Sequence, residues 1–182
     1  AEMPGWPKFE KVAHKAEQAW EAELAKAKIQ TADNSVKRIF YTALYHTMIA
    51  PSEFCDVDGS YRGADGEVHP NPGHTSYTTY SLWDTYRAQM PLLSIMHPEK
   101  MTGIVNTMLN IFDEQGRLPV WHLWGNETDC MVGNPGLISV ADALVKGDTQ
   151  IDPNRAYKAI RTTAMNKGRG NGFRMEYGFI PF

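Results

Sequence analysis

Cysteine is scarce in this chain, with only Cys55 and Cys130 among 182 residues. Two thiols are too few for a disulfide scaffold or a cysteine metal site. Two buried free thiols are the expectation, with a single Cys55–Cys130 bridge as the alternative. Long apolar runs are also missing. No stretch approaches the about eighteen apolar residues that span a bilayer, and no basic-then-apolar leader opens the chain. The segment therefore reads as soluble, with any export signal lying outside it. Nor is there a surplus of positive charge. A formal net charge of −3 argues against a phosphate backbone or an anionic membrane as the main partner.

Several site signatures are absent too. The histidines, His14, His46, His69, His74, His97 and His122, form no HExxH pair, so no zinc site is expected. No serine or cysteine sits in a nucleophile elbow. The glycines of "GRGNG" match neither a phosphate-binding loop nor a dinucleotide fingerprint. In "CDVDGSYRGADG", Asp56 and Asp58 begin like a calcium loop, but Gly59 comes too soon for the EF-hand register. These aspartates read as turn formers, with Asp58 a minor candidate for lining a site.

What is present is a globular composition, 42 % hydrophobic and 11 % aromatic, rich enough in apolar groups to rule out disorder. Phe9, Val12, Ala16, Ala19, Trp20, Glu23 and Leu24 recur at helical spacing, predicting a helix over 7–29 with Pro7 in its first turn. A second helix follows Ser35 as its cap and stops at Pro51. Residues 51–80 read as a long loop holding a small hairpin. Loops of that length usually carry function. Helices are then expected over 81–96, kinked or divided at Pro91, over 98–115 closed by Gly116, over 137–146 and over 155–166. "GRGNGF" reads as a flexible turn. Helix, tight turn, helix, long loop is the plan of a bundle, a solenoid or an α/α toroid. The apolar ending "FIPF" suggests a point inside a longer chain.

Two stretches carry candidate chemistry. In "YSLWDTYRAQMPLL", Asp84 and Arg87 lie three apart and would share a helix face. With Trp83 and Tyr86 they offer a carboxylate beside an indole, a recurrent contact for sugar hydroxyls and C–H faces. An aspartate in a first helical turn also complements the helix dipole, which leaves a purely structural reading open. The second stretch is "PVWHLWGNETDC", 119–130, which reads as neither clean helix nor clean strand. Glu127 near Trp124 would lie against an apolar wall of the kind that keeps a carboxyl protonated, as a glycosidic acid requires. A second carboxylate would be needed, and Asp84, Asp129 or Asp58 could serve. Alternatively Glu127 and Thr128 cap a turn while the tryptophans pack into the core.

Four blocks in order, "YTALYHTMIAPSEFCDVDGSYRG", "YTTYSLWDTYRAQMPLL", "GRLPVWHLWGNETDCMVGNPG" and "VADALVKG", resemble the calcium-dependent exo-α-mannosidases of glycoside hydrolase family 92. The likeness runs from about Phe40 to Gly147, and "YGFIPF" is similar to a further block. The resemblance implies an all-α chain, 1–182, forming about the first half of an (α/α)6 barrel. A β-sandwich domain and the rest of the barrel would lie elsewhere. It implies inverting release of terminal α-mannose from glycans outside the cytoplasm, with calcium gripping sugar hydroxyls. The family's acid and base lie in Glu-Gly-Asn-x-Trp-Gln and Gly-Asn-Asp-Asp blocks, and neither occurs here. No catalytic carboxylate or metal ligand is therefore expected in this segment, and Glu127 drops back to a weak candidate for the acid. Asp84 becomes the best candidate for holding mannose hydroxyls, flanked by Trp83 and Arg87, with Glu127 and Thr128 as wall or support. The implied partners are mannose-containing glycans and the remaining segments of the enzyme. A non-catalytic helical carbohydrate-binding or scaffolding module is the alternative.

Overall fold

The computed structural model describes residues 8–181. The expected helix-start role of Pro7, and Phe182 of the terminal "FIPF", lie outside them. The chain divides into two compact units, Ala1–Ile49 and Ala50–Phe182.

In the first unit, helix α1 (Phe9–Leu24) forms where alanine, glutamate and lysine dominate, and helix α2 (Asn34–His46) over a stretch free of glycine and proline. Asp33, rather than Ser35, caps α2. Its carboxylate accepts from the Ser35 amide at 2.7 Å and the Val36 amide at 3.4 Å, satisfying two N–H groups that have no partner inside the helix. The helix ends well before Pro51. Trp20 meets Tyr45 edge-on, with ring centroids 4.6 Å apart. Leu44 is buried, whereas Phe9 and Ile39, expected on inward faces, are 79 % and 69 % exposed.

The second unit is organised by its longest helix, α5 (Pro98–Gln115). Pro98 fits the first turn, Glu99 complements the dipole there, and Gly116 closes the helix in the left-handed region at φ 81°. Met101, Ile104, Val105, Met108 and Leu109 are buried along it, each contributing about 1.5–3 kcal/mol by leaving water. Helices α4 (Gln89–Met96) and α6 (Pro135–Val145) pack on α5 and on each other. Helix α7 (Pro153–Met165) covers α5 and α6, and α3 (Leu82–Thr85) packs on α6.

The predicted 81–96 helix does divide, but ahead of Pro91. Residues 86–88 form a turn, and α4 restarts at Gln89. A proline inside a continuous helix would clash with the carbonyl four residues back. The restart places Pro91 in a first turn, where no N–H is needed. The "GRGNGF" stretch is only half a turn, since α8 (Asn171–Tyr177) begins within it.

The chain is helix-rich, as expected, but the all-α description needs correcting for its loops. Seven short strands form three antiparallel sheets among the described residues. β1 (Ser52–Glu53) pairs with β4 (Tyr77–Thr78), and β2 (Tyr61–Arg62) with β3 (Val68–His69), the hairpin expected inside the long loop. The third sheet joins β5 (Tyr80–Ser81), β6 (Trp121–Leu123) and β7 (Asn126–Glu127). The stretch that read as neither helix nor strand is thus a hairpin. Cys55 and Cys130 are free and exposed rather than buried, because both lie in these loop segments outside the helical core.

Candidate functional site

Helix α5 fixes the first side of the site. Thr107 Oγ1 accepts from the Tyr77 amide at 3.2 Å, and the buried Tyr80 hydroxyl donates to the Ile104 carbonyl at 3.1 Å. Burial pushes the Tyr80 phenol up, so it stays a neutral donor. These bonds hold β4 and β5, and β5 runs directly into α3 with Trp83 and Asp84.

The second side is the β6–β7 hairpin, anchored from three directions. The Leu118 amide donates to Thr163 Oγ1 of α7 at 2.9 Å. A side chain at Gly136 of α6 would meet the Pro119 carbonyl at 2.5 Å, so only glycine lets that backbone seat so closely. The third anchor is Glu127. Its Oε2 accepts from the Val120 amide at 2.7 Å, and its Oε1 from Trp121 at 3.0 Å and Asp129 at 2.9 Å. Thr128 Oγ1 adds a bond to the Trp121 carbonyl at 2.8 Å. Glu127 and Thr128 therefore brace the hairpin through its backbone. The tryptophans do not fill the core: Trp121 is half-buried and Trp124 is 68 % exposed.

Strand pairing brings the two candidate stretches together. Ser81 lies opposite Trp121, and Tyr80 opposite His122, which in turn faces Glu127. Tyr80, His122 and Glu127 share one face of this sheet, while Ser81 and Trp121 share the other. His122 is buried, its ring 6.3 Å from that of Tyr80, and neither ring nitrogen has a hydrogen-bond partner among the described residues. Burial lowers its pKa to about 4 against the opposing pull of the Glu127 charge, so it is neutral at ordinary pH. The "CDVDGSYRG" block joins from the side, where the Arg62 carbonyl would lie 3.0 Å from a Cβ at Gly125.

The nominated carboxylates now separate by what they are free to do. Asp58 accepts from the amide and hydroxyl of Ser60, at 2.9 and 2.7 Å, and its turn is its task. Those bonds, the amide first, hold its carboxyl below the usual range. Asp129 is held between Arg117, at 2.9 Å, and Arg169. Burial works against its ionisation, but the Arg117 bond and the two guanidinium charges outweigh it and lower the pKa. Asp84 is exposed, its Oδ2 accepts from Ser81 Oγ at 2.6 Å, and Oδ1 has no protein donor among the described residues. It is a carboxylate fixed at one oxygen and open at the other.

Asp84 and Arg87, expected to share a helix face, do not. Helix α3 ends at Thr85, so Arg87 leaves the helical register, donating to the Tyr86 hydroxyl at 2.9 Å and lying over that ring at 5.2 Å. Trp83 is 39 % exposed beside Asp84. Among the described residues no three His, Cys, Asp or Glu side chains converge as metal ligands would. No helix among the described residues is long and apolar enough to cross a membrane.

The model of the glycosyl hydrolase family 92 catalytic domain matches residues 1–182. This chain belongs to that family. A family-92 α-mannosidase of Bacteroides thetaiotaomicron is 40 % identical, matching all of this chain and 24 % of its own length with a TM-score of 0.94. The same protein solved with mannoimidazole matches equally well. An inverting family-92 mannosidase of B. thetaiotaomicron VPI-5482 is 27 % identical over 98 % of this chain and 25 % of its own, at a TM-score of 0.86. The chain thus spans about a quarter of the length of these solved relatives. No curated protein matches it.

Ser81, Thr78, His122 and Trp124 escaped the sequence reading as parts of one assembly. The two-residue turn Trp124–Gly125 hid the hairpin, because such turns are usually announced by Asn-Gly or Asp-Gly.

Proposed function

We propose that this chain is a substrate-contacting part of an inverting, calcium-dependent exo-α-mannosidase. Its 182 residues would contribute about the first half of an (α/α)6 barrel, as a single partial domain working outside the cytoplasm. Asp84 carries the reading. Its open oxygen accepts from hydroxyls of the terminal mannose, while the Ser81 hydroxyl keeps the carboxylate from rotating. Trp83 offers an indole to the C–H face of that sugar, and the Arg87 guanidinium, steadied by the Tyr86 ring, donates to ring hydroxyls. Thr128 lines the same rim, and Glu127 supports it by bracing the backbone. The acid, the base and the calcium ligands come from parts of the enzyme outside these residues. Calcium, when bound there, would grip sugar hydroxyls as a Lewis acid.

Support comes from the family and from the mannoimidazole complex of the 40 %-identical relative, whose name states α-mannosidase activity. The test is hydrolysis by a complete family-92 protein that carries this segment. Terminal α-mannosides are cleaved and release mannose as the β anomer, while β-mannosides and α-glucosides are not cleaved. Cleavage of those others in preference to α-mannosides would overturn the proposal.

A further inference from the structure

The turn between β6 and β7 is Trp124–Gly125, flanked by the Leu123–Asn126 pair, with φ values of 50° and 72°. Positive φ at both positions defines a type I′ turn, and asparagine or glycine suits its first position. A bulky tryptophan is disfavoured there, since its Cβ crowds the backbone in the left-handed region. Packing among the described residues does not select this residue, because its indole stands 68 % exposed there.

Two separate elements nevertheless hold the turn. The Trp124 amide donates to Thr78 Oγ1 at 2.6 Å, with Thr78 itself 2 % exposed, and Gly125 lies against the Arg62 backbone. Thr79 (φ 65°) and Asp129 (φ 54°) also take the left-handed conformation, one just before β5 and one after β7. Three strained non-glycine residues thus border one small sheet, and strain of this kind collects where a site must be held in shape.

The sheet also sets a distance. Trp124 lies three residues along from Trp121, the strand partner of Ser81, which binds Asp84. Two strand steps from Trp121 to Leu123 span about 7 Å, and the turn residue Trp124 stands beyond them, a separation wider than one pyranose ring and suited to two linked ones. We infer that Trp124 is the stacking platform for the sugar on the leaving-group side of the scissile bond. It takes the C–H face of a pyranose while Asp84 holds the terminal mannose. This rests on the α-mannosidase reading and adds a specificity-determining residue to it.

The experiment compares Trp124→Asn and Trp124→Phe in a complete family-92 protein carrying this segment, on α-linked mannobiose and on methyl α-mannoside. Asparagine restores the favoured turn sequence and removes the ring, so it separates binding from folding. The expected result for Trp124→Asn is kcat/KM on mannobiose at least about tenfold lower, with methyl α-mannoside within about twofold. Its melting temperature stays level with or above that of the wild type. Trp124→Phe keeps most of the mannobiose activity. Equal losses on both substrates together with a lowered melting temperature would show the indole packed against other parts of the domain, and would overturn the inference. Unchanged mannobiose turnover in Trp124→Asn overturns it as well, with the α-mannosidase reading left standing. A wild type that cleaves neither mannoside overturns both.

Discussion

Glu127 can serve as a proton donor or as a backbone brace, and one substitution separates the two. In Glu127→Gln a single oxygen replaces two, and an NH2 group is turned toward amides that need an acceptor. The wild-type carboxylate takes three N–H donors, from Val120, Trp121 and Asp129. Hydrogen bonds to a charged group contribute about 1.5–3 kcal/mol each when buried. Glu127 is half-buried, so solvent screening cuts the combined loss to about 3 kcal/mol. That loss falls on the hairpin rather than on the whole domain, so local opening is the quantity to measure. In hydrogen exchange followed by mass spectrometry, the peptide over 118–130 should exchange about a hundredfold faster in Glu127→Gln than in the wild type. Glu127→Ala should show a similar change. Unchanged exchange in Glu127→Gln, with turnover abolished, would refute the brace and return Glu127 to the role of acid.

His122 predicts acid sensitivity of the same sheet. Its folded pKa, lowered to about 4 by burial, lies below its ordinary value of 6.5. The unfolded chain therefore binds the proton first, and stability is lost as pH falls from about 6.5 toward about 4. At about 1.4 kcal/mol per pH unit the loss reaches about 3 kcal/mol. A His122→Phe variant should melt with less pH dependence across that window, and an identical pH profile would contradict the assignment. Gly136→Ala should cost about 2–4 kcal/mol by driving a methyl group into the Pro119 carbonyl. Denaturant unfolding of the complete protein would read this as a lower midpoint, and an unchanged midpoint would show that α6 can shift.

Periodicity made the helices legible wherever one face is apolar. The span of α5, its proline start and its glycine stop stand in the sequence as they stand in the fold. The caps were harder. Ser35 and Asp33 are both good N-cap residues, and only the backbone decides that Asp33 accepts the bonds. Apart from the small hairpin of the long loop, marked by its glycine turns, the strands stayed hidden because each is two or three residues long, too short for alternation to show. The site followed the same division. Trp83 and Asp84 stand out by residue type, but the approach of their segment to the Trp121 strand depends on the Ser81–Trp121 pairing, between segments about forty residues apart. That non-local register, and the loss of Arg87 from the helical face, cannot be read from spacing along one strand of text.

The most direct test of the site compares two aspartates in a complete family-92 protein carrying this segment. Asp84 is open at one oxygen, while Asp58 is occupied with its own turn. Asp84→Ala should lower kcat/KM on a terminal α-mannoside by about a hundredfold or more, the loss of a charged hydrogen bond or two in the transition state. Asp58→Ala should stay within about threefold of the wild type. Equal effects of the two substitutions would remove Asp84 from the sugar site and contradict the account.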